Sequence, residues 1–198
     1  MQVKEKNKLS DSASEIDSAR RLLEVIQGML SQGLTSLKVS CTVEGKLDSE
    51  LLDDYQFSSY QIAFSVAEIV AAKSFLHYCN GSTENSYESA FALLFACDTL
   101  DNVMGRLKKI AFDVGIEIEA LTTLENSAEY RNVLKHNRPS IISRLGSLII
   151  NEKVDRLRSG LDDEKELVRN TFRRFSDEIV APFAEKIHRE DLDIPEQI

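Results

Sequence analysis

The sequence predicts an all-α protein, in which a helical bundle is followed by the first helix of a second helical domain. The 198 residues include only 3 Pro and 8 Gly, so few residues interrupt regular structure. Hydrophobic residues make up 42% and charged residues 29%, a composition typical of soluble globular proteins. Most apolar residues recur at helical spacing. These three observations argue against a β-sandwich or a β-barrel.

The first part of the chain is predicted to hold one helix and an extended connector. Residues 1–13 are polar, and we expect them to be disordered. A broad apolar stripe begins near Ser14 and stops near Gly33, which predicts the first helix. Apolar and polar residues then alternate over 37–43. Because a lone strand is marginal without a partner, we interpret this stretch as an extended connector.

The second predicted helix begins after Asp48, a residue that can cap a helix, and runs to about Tyr78. Asn80-Gly81 follows, and both residues tolerate the left-handed conformation that ends helices. Near its centre this helix is apolar almost all round. Small residues recur at every fourth position: Ser59, Ala63, Ala67 and Ala71. Such a ridge would let a neighbouring helix approach closely.

Three further helices complete the predicted bundle. The first spans about 86–114, the second spans about 128–135, and the third begins at Pro139, a residue suited to a first helical turn. Acidic stretches interrupt the helical pattern around 117–127. With the helix before them, these segments supply enough apolar faces to close a bundle.

A second domain is predicted to begin at the boundary Arg158–Leu161, so that the bundle covers 14–160 and the second domain 161–198. Asp163-x-x-Glu166 resembles a capping box at the start of its helix. Apolar residues then follow at spacings of 4, 3, 4, 4 and 4: Val168, Phe172, Phe175, Ile179, Phe183 and Ile187. Pro182 lies within this stripe and should kink or end the helix.

Charge and cysteine content exclude several classes of protein. The formal net charge is −9, so binding of nucleic acid through phosphate contacts is not expected. Glu68 and Lys73 interrupt the most apolar segment, which falls short of the roughly 18 residues of a membrane span. Cys41, Cys79 and Cys97 are widely spaced and lack a CxxC pattern. With no apolar core of a signal peptide at the N-terminus, we expect a cytoplasmic protein with reduced thiols.

Metal binding is not predicted from the histidines. Glu185-x-x-His188 has the spacing that di-iron bundles use, but those sites need a second motif of the same kind. Neither His77 nor His136 has a Glu three positions before it. We therefore interpret Glu185 and His188 as a solvated pair, and His77 as a residue placed at a helix end, where a cation is favourable.

The other candidate side chains also have structural interpretations. Glu68, Asp98 and Asp101 lie in apolar sequence contexts, and a buried carboxylate is costly unless paired. Each is expected either at the rim of the bundle or bonded across helices. Arg173-Arg174 is interpreted as a solvated face, with docking to another domain as the alternative. No glycine-rich phosphate loop is present in the sequence, and we predict no catalytic, cofactor-binding or metal-binding residue.

Residues 161–198 resemble the opening of the acyl-CoA dehydrogenases. In that family an acidic lead enters a helix that continues as Phe-x-x-Glu-Ile-x-x-Pro, with a second Pro before the next helix. The residues that stand in those roles here are Phe175, Glu178, Ile179, Pro182 and Pro195, with Leu161 and Leu167 in the lead. The resemblance covers 38 of 198 residues, and residues 1–160 look like the helical extension of some longer bacterial relatives.

The resemblance implies the front part of a flavoenzyme that oxidises an acyl-CoA at its α,β carbons and passes the electrons to FAD. The family's catalytic carboxylate and most of its flavin contacts lie in domains that would follow residue 198. We therefore expect this chain to bind no FAD, to be inactive alone, and to have the remainder of its own chain as partner.

Two alternatives from other functional classes remain open. The first is a stand-alone helical interaction or scaffold protein, which could be a homodimer that buries the stripe from Val168 to Ile187 against a partner helix. The second is a metal-binding or ligand-binding bundle.

Overall fold

The computed structural model describes residues 12–79, 87–152 and 161–196, and nearly all of them are helical. This confirms the predicted all-α fold class. The elements are α1 (Ser12–Ser40), β1 (Thr42–Val43), β2 (Lys46–Leu47), α2 (Ser49–Asp54), α3 (Gln56–Tyr78), α4 (Tyr87–Ile110), α5 (Ile118–Glu125), α6 (Ala128–Leu134), a 3₁₀ turn (Lys135–Asn137), α7 (Pro139–Glu152), α8 (Asp163–Phe175), a π turn (Ser176–Val180) and α9 (Ala181–Glu190). The chain divides into two compact units, residues 1–154 and 155–198.

The core of the first unit lies between the three long helices α1, α3 and α4, which pack on one another in pairs. Its largest fully buried side chains include Leu23, Ile26, Ile69, Leu76, Leu100 and Leu107. The short helix α6 packs on α1 and α4, where it buries Tyr130 and Val133. Apolar faces of helices from distant parts of the sequence therefore close a single core.

Helix α1 is longer at both ends than the sequence predicts. It begins at Ser12, inside the segment expected to be disordered, and the rest of that segment lies outside the described residues. The predicted end near Gly33 is wrong, because the helix continues to Ser40. A Cβ atom at Gly33 would lie 3.0 Å from Ile116 Cδ1, so the glycine permits a close approach of the turn after α4 rather than ending the helix.

The predicted extended connector over 37–43 is also wrong. Leu37 and Cys41 are buried and Val39 is exposed, which is the i, i+4 pattern of a helix edge rather than of a strand. Only Thr42–Val43 is extended, and it pairs antiparallel with Lys46–Leu47. The hairpin turn consists of Glu44 and Gly45, both at positive φ, as a two-residue hairpin requires.

Asp48 caps a helix as predicted, since its Oδ1 accepts hydrogen bonds from the backbone N–H groups of Glu50 and Leu51 at 3.0 and 3.1 Å. The helix that follows is not continuous, because Tyr55 separates α2 from α3. Helix α3 ends at Tyr78, and the predicted stop at Asn80-Gly81 lies outside the described residues.

The region between α4 and α7 contains one helix more than predicted. Helix α5 occupies Ile118–Glu125, inside the stretch expected to interrupt the pattern. Ser127 then caps α6 by accepting a hydrogen bond from Tyr130 N at 3.1 Å. Helix α7 begins at Pro139, as the sequence predicts. Two neighbouring short helices, of which α6 has a side-chain cap, therefore replace the expected irregular stretch.

In the second unit, α8, the π turn and α9 follow one another directly. The cap of α8 is Asp162, whose Oδ1 accepts from Lys165 N at 2.9 Å, so the predicted capping box at Asp163 is wrong. The π turn immediately precedes Pro182, which lies in the first turn of α9. Regular α geometry is therefore interrupted near the proline, as expected from its missing N–H. The predicted boundary at Arg158–Leu161 falls mostly outside the described residues.

Candidate functional site

Glu68 in α3 forms a two-pronged ion pair with Arg106 in α4. The guanidinium nitrogens donate to Glu68 Oε1 and Oε2 at 2.7 and 2.6 Å, and both side chains are about three-quarters buried. The hydrogen bond to Glu68 raises the pKa of Arg106 above its ordinary value. The predicted pairing across helices is thus confirmed for Glu68, and it gives the carboxylate a structural role.

The acidic residues of α4 lie at the surface rather than in the core. Asp98 and Asp101 are both exposed, and Asp98 accepts a hydrogen bond from Asn102 Nδ2 at 3.2 Å. These are the rim positions that the sequence analysis allowed. Neither residue lies in an enclosed site where a carboxylate could act as a general base.

Cys97 in α4 and Tyr130 in α6 are buried residues whose polar side-chain groups each bond a backbone carbonyl of the other helix. Cys97 Sγ donates to the Val133 carbonyl at 3.0 Å, and the Tyr130 hydroxyl donates to the Leu100 carbonyl at 3.2 Å. Burial raises the pKa of Cys97 to about 12 and raises that of Tyr130. Both groups therefore stay protonated and are unsuited to nucleophilic chemistry near neutral pH.

The other two cysteines are also buried, which agrees with the interpretation of all three as packed thiols. Sequence reasoning did not single out Tyr130. Its signal, an aromatic residue three positions after a capping Ser, is too common to identify a buried hydroxyl.

A cleft of about 560 Å³ lies where the start of α1 meets α6 and the 3₁₀ turn. His136 Nε2 lies 3.1 Å from Glu15 Oε1 at this cleft, and Arg21 pairs with Glu129 at 2.6 Å. The Glu15 and Glu129 carboxylates are thus each in contact with a basic side chain. The cleft could not be predicted from the sequence, because Glu15 and His136 are far apart along the chain.

Glu185 and His188 are both exposed, as their interpretation as solvated residues expects. Glu185 accepts from Arg189 at 2.7 Å, one helical turn along α9. His77 is exposed in the last turn of α3, as expected for a residue at a helix end. Among the described residues, no group of three or more His, Cys, Asp or Glu side chains is arranged to hold a metal ion.

The apolar stripe of the second unit is exposed from Val168 to Phe183, and Ile187 is half-buried. None of the residues in α8, the π turn or α9 is buried, and Phe172 is 69% exposed. On the polar side, Arg174 is exposed and Arg173 is half-buried. The interpretation of this pair as a solvated face is therefore confirmed for Arg174 and only in part for Arg173. This stripe is the main chemical feature of residues 161–196.

The small-residue ridge of α3 is exposed too. Ala63, Ala67 and Ala71 face outward, and the opposite side of the helix is buried through Ile62, Ile69, Ala72 and Leu76. The ridge is therefore not the side through which α3 packs into the core of the first unit. Because α3 is apolar on both sides, its periodicity could not decide which side packs inward.

None of the helices in the described ranges combines the length and the apolar character that crossing a membrane requires.

Comparison with known proteins shows a sequence similarity to a curated protein. No protein-family model matches the chain. The chain is similar to (2S)-methylsuccinyl-CoA dehydrogenase of Cereibacter sphaeroides, with 26% identity over 188 residues. The match covers 89% of this chain and 34% of that protein, so the chain spans about a third of the length of this curated relative. A match of this extent includes most of residues 1–160 and at least part of residues 161–198.

Proposed function

We propose that this chain is the N-terminal part of an acyl-CoA dehydrogenase-like flavoenzyme and is not catalytic on its own. The observation that carries the proposal is the similarity to (2S)-methylsuccinyl-CoA dehydrogenase across 89% of the chain. The resemblance of Phe175, Glu178, Ile179 and Pro182 to the opening of that family supports it separately. The whole enzyme would take an acyl-CoA as substrate.

The exposed stripe of α8 and α9 supports the proposal. An amphipathic helix in a folded protein hides its apolar face against other elements. In this proposal, residues 161–198 begin the N-terminal helical domain of the dehydrogenase, and further helices of that domain cover the stripe. Residues 14–160 would then be a helical extension in front of it, and the enzyme would be cytoplasmic.

The cleft at the start of α1 does not fit a flavin. Its Glu15 and Glu129 carboxylates would face the diphosphate of FAD and repel it. FAD would supply oxidation of the α,β carbons when bound, but we assign no flavin contact to the residues described. Flavin binding is proposed for sequence that follows this chain.

The proposal is tested on the protein isolated from its source. We expect an intact mass well above 22.3 kDa, corresponding to several hundred residues more than the 198 of this chain. We also expect a visible flavin absorption band that is lost when an oxidisable acyl-CoA is added. The 198-residue chain, purified alone, is the matched control and should lack the band. A native mass of 22.3 kDa, or a longer protein without flavin, would contradict the proposal.

A stand-alone interaction module is the second candidate, and the exposed stripe of α8 and α9 is the observation that favours it. A partner helix could cover Phe172 and Phe175 as well as a further domain could. The same mass measurement separates the two candidates, because a complete protein of 22.3 kDa leaves no room for a flavin domain.

A further inference from the structure

The outward side of α3 carries an apolar surface that the first unit does not bury. We call it the α3 outer face. Its larger members are Phe57, Tyr60, Phe64, Val66 and Val70, and they flank the ridge of Ser59, Ala63, Ala67 and Ala71. Phe57, Tyr60 and Val70 are 59%, 55% and 52% exposed. The rings of Tyr60 and Phe64 already pack on each other, with centroids 4.4 Å apart.

The α3 outer face carries no charge. Residues 55–67 include no Asp, Glu, Lys or Arg. The charged side chains that α3 does carry are turned toward the bundle, where Glu68 pairs with Arg106 and Lys73 donates to Gln27 at 2.9 Å. A surface helix normally places its charges toward water. This reversed arrangement indicates a face that another surface covers.

We propose that a second copy of this chain covers it, with the α3 outer faces of the two copies packed on each other. The chain has a formal net charge of −9, so two copies that meet through most surfaces bring like charges together. Meeting through α3 avoids that repulsion, because both partners present the same uncharged face. A twofold symmetric contact uses one surface patch twice, and dimers of this symmetry are the commonest oligomers.

The area of the face is large enough for such a contact. Half-exposed aromatic rings and valines offer about 500 Å² on one copy, since a Phe or Tyr side chain buries roughly 150–250 Å² in full. With the alanine ridge included, two copies could bury about 1,200 Å², which is the lower end of specific interfaces. An interface of this size can support a reversible dimer.

The ridge explains how the helices could meet. Ala63 and Ala67 lie in the middle of the face, and small side chains let two helix backbones pack at the short end of the usual range of about 8–10 Å. The larger rings and valines then lie on either side of the contact. A charged side chain at Ala67 would lie at the centre of the interface and would be costly to bury.

The test is sedimentation velocity of the 198-residue chain over a wide range of concentrations. Wild type should be a dimer, and Ala67→Glu should raise the dissociation constant at least tenfold. Ala120→Glu is the matched control, because Ala120 is an exposed helical alanine in α5 and away from the face. Circular dichroism should show that each variant keeps the helical content of wild type.

A cross-linking experiment keeps the proposal testable if Ala67→Glu does not fold. Ala67→Cys should form an intermolecular disulfide on mild oxidation, whereas Ala120→Cys should not, and the native cysteines are buried. Monomeric wild type, an unchanged dimer in Ala67→Glu, or absence of the disulfide would overturn the proposal. A dimer that Phe172→Glu abolishes and Ala67→Glu spares would place the contact on α8 instead. The proposal is independent of the proposed function.

Discussion

The Glu68 carboxylate in α3 is held by the guanidinium of Arg106 in α4, and both side chains are largely buried. Its apolar context predicts that the carboxylate needs a partner. The partner itself could not be predicted, because Arg106 lies 38 residues away on a different helix. Only the register between α3 and α4 brings the two groups within hydrogen-bond distance. The sequence therefore indicates that the Glu68 carboxylate needs a partner, but it does not identify Arg106 as that partner.

Removing the carboxylate charge should destabilise the fold. We expect Glu68→Gln to lower the free energy of unfolding by about 1–3 kcal/mol, since the change leaves a part-buried guanidinium without its counterion. Chemical denaturation measures the effect, and a double-mutant cycle with Arg106→Met isolates the coupling. Glu125→Gln is the control, because its ion pair with Lys108 is more exposed and should contribute less than about 1 kcal/mol. Equal losses in the two variants would contradict the prediction.

The buried Cys97 thiol should make the stability of the fold depend on pH in the alkaline range. Its pKa rises from the ordinary 9.0 to about 12 in the folded chain. Between these values the unfolded state loses its proton first and binds fewer protons than the folded state. Stability therefore falls as pH rises from about 9, by up to roughly 1.4 kcal/mol per pH unit.

Comparing Cys97→Ala with wild type tests whether Cys97 causes this loss of stability at alkaline pH. The variant should lose less stability per pH unit above pH 9, whatever its stability at pH 7. Thermal unfolding at a series of pH values gives both slopes. Tyr130 still contributes in the variant, because burial raises its pKa from an ordinary 10.0. Identical slopes in the two proteins would rule out Cys97 as the source.

At the scale of elements, helices were predictable and their ends were not. Gly33 looked like a helix stop, but the space beside it is filled by Val114 and Ile116 from the turn after α4. Leu37 and Cys41 looked like strand positions, although their spacing of four places both on one side of a helix. In each case a tertiary contact outweighed a local preference.

Two glycines of α1 should respond in opposite ways to alanine. A Cβ at Gly28 would meet nothing within 4 Å, so Gly28→Ala should stabilise the helix by about 0.5–1 kcal/mol and raise Tm by roughly 1–4 °C. A Cβ at Gly33 would lie 3.0 Å from Ile116 and 3.1 Å from Val114, which offsets the same gain. Thermal unfolding of both variants is the measurement. A larger increase in Tm for Gly33→Ala than for Gly28→Ala would show that Val114 and Ile116 move aside at little cost in free energy.

At the scale of the whole molecule, composition and periodicity were sufficient for the fold class but not for the orientation of the helices. Scarce Pro and Gly predicted helices, and helices are what the described chain contains. The apolar character of α3 on both sides left its buried side undecided. The cleft beside His136 could not be predicted either, because its charges come together only when α1 meets α6. Surfaces that depend on packing register are not visible in one sequence.

The two units should differ in protection from hydrogen exchange. Amides of α1, α3 and α4 should be protected with nearly the full free energy of unfolding, because these helices enclose the core. Amides of 163–190 should exchange much faster in the 198-residue chain, since none of their side chains is buried. Exchange followed by mass spectrometry measures both sets in one sample. Equal protection would show that the stripe of α8 and α9 is covered in solution.

The π turn of the second unit sets the angular phase of the residues beyond it. In a regular helix each spacing of four advances about 40° around the axis, so Phe175, Phe183 and Ile187 would drift apart. A π turn takes in one extra residue, and the eight residues from Phe175 to Phe183 then cover the rotation of about seven. Seven is the repeat of a coiled-coil seam. The irregular turn therefore straightens the stripe into a line along which a single partner helix could lie.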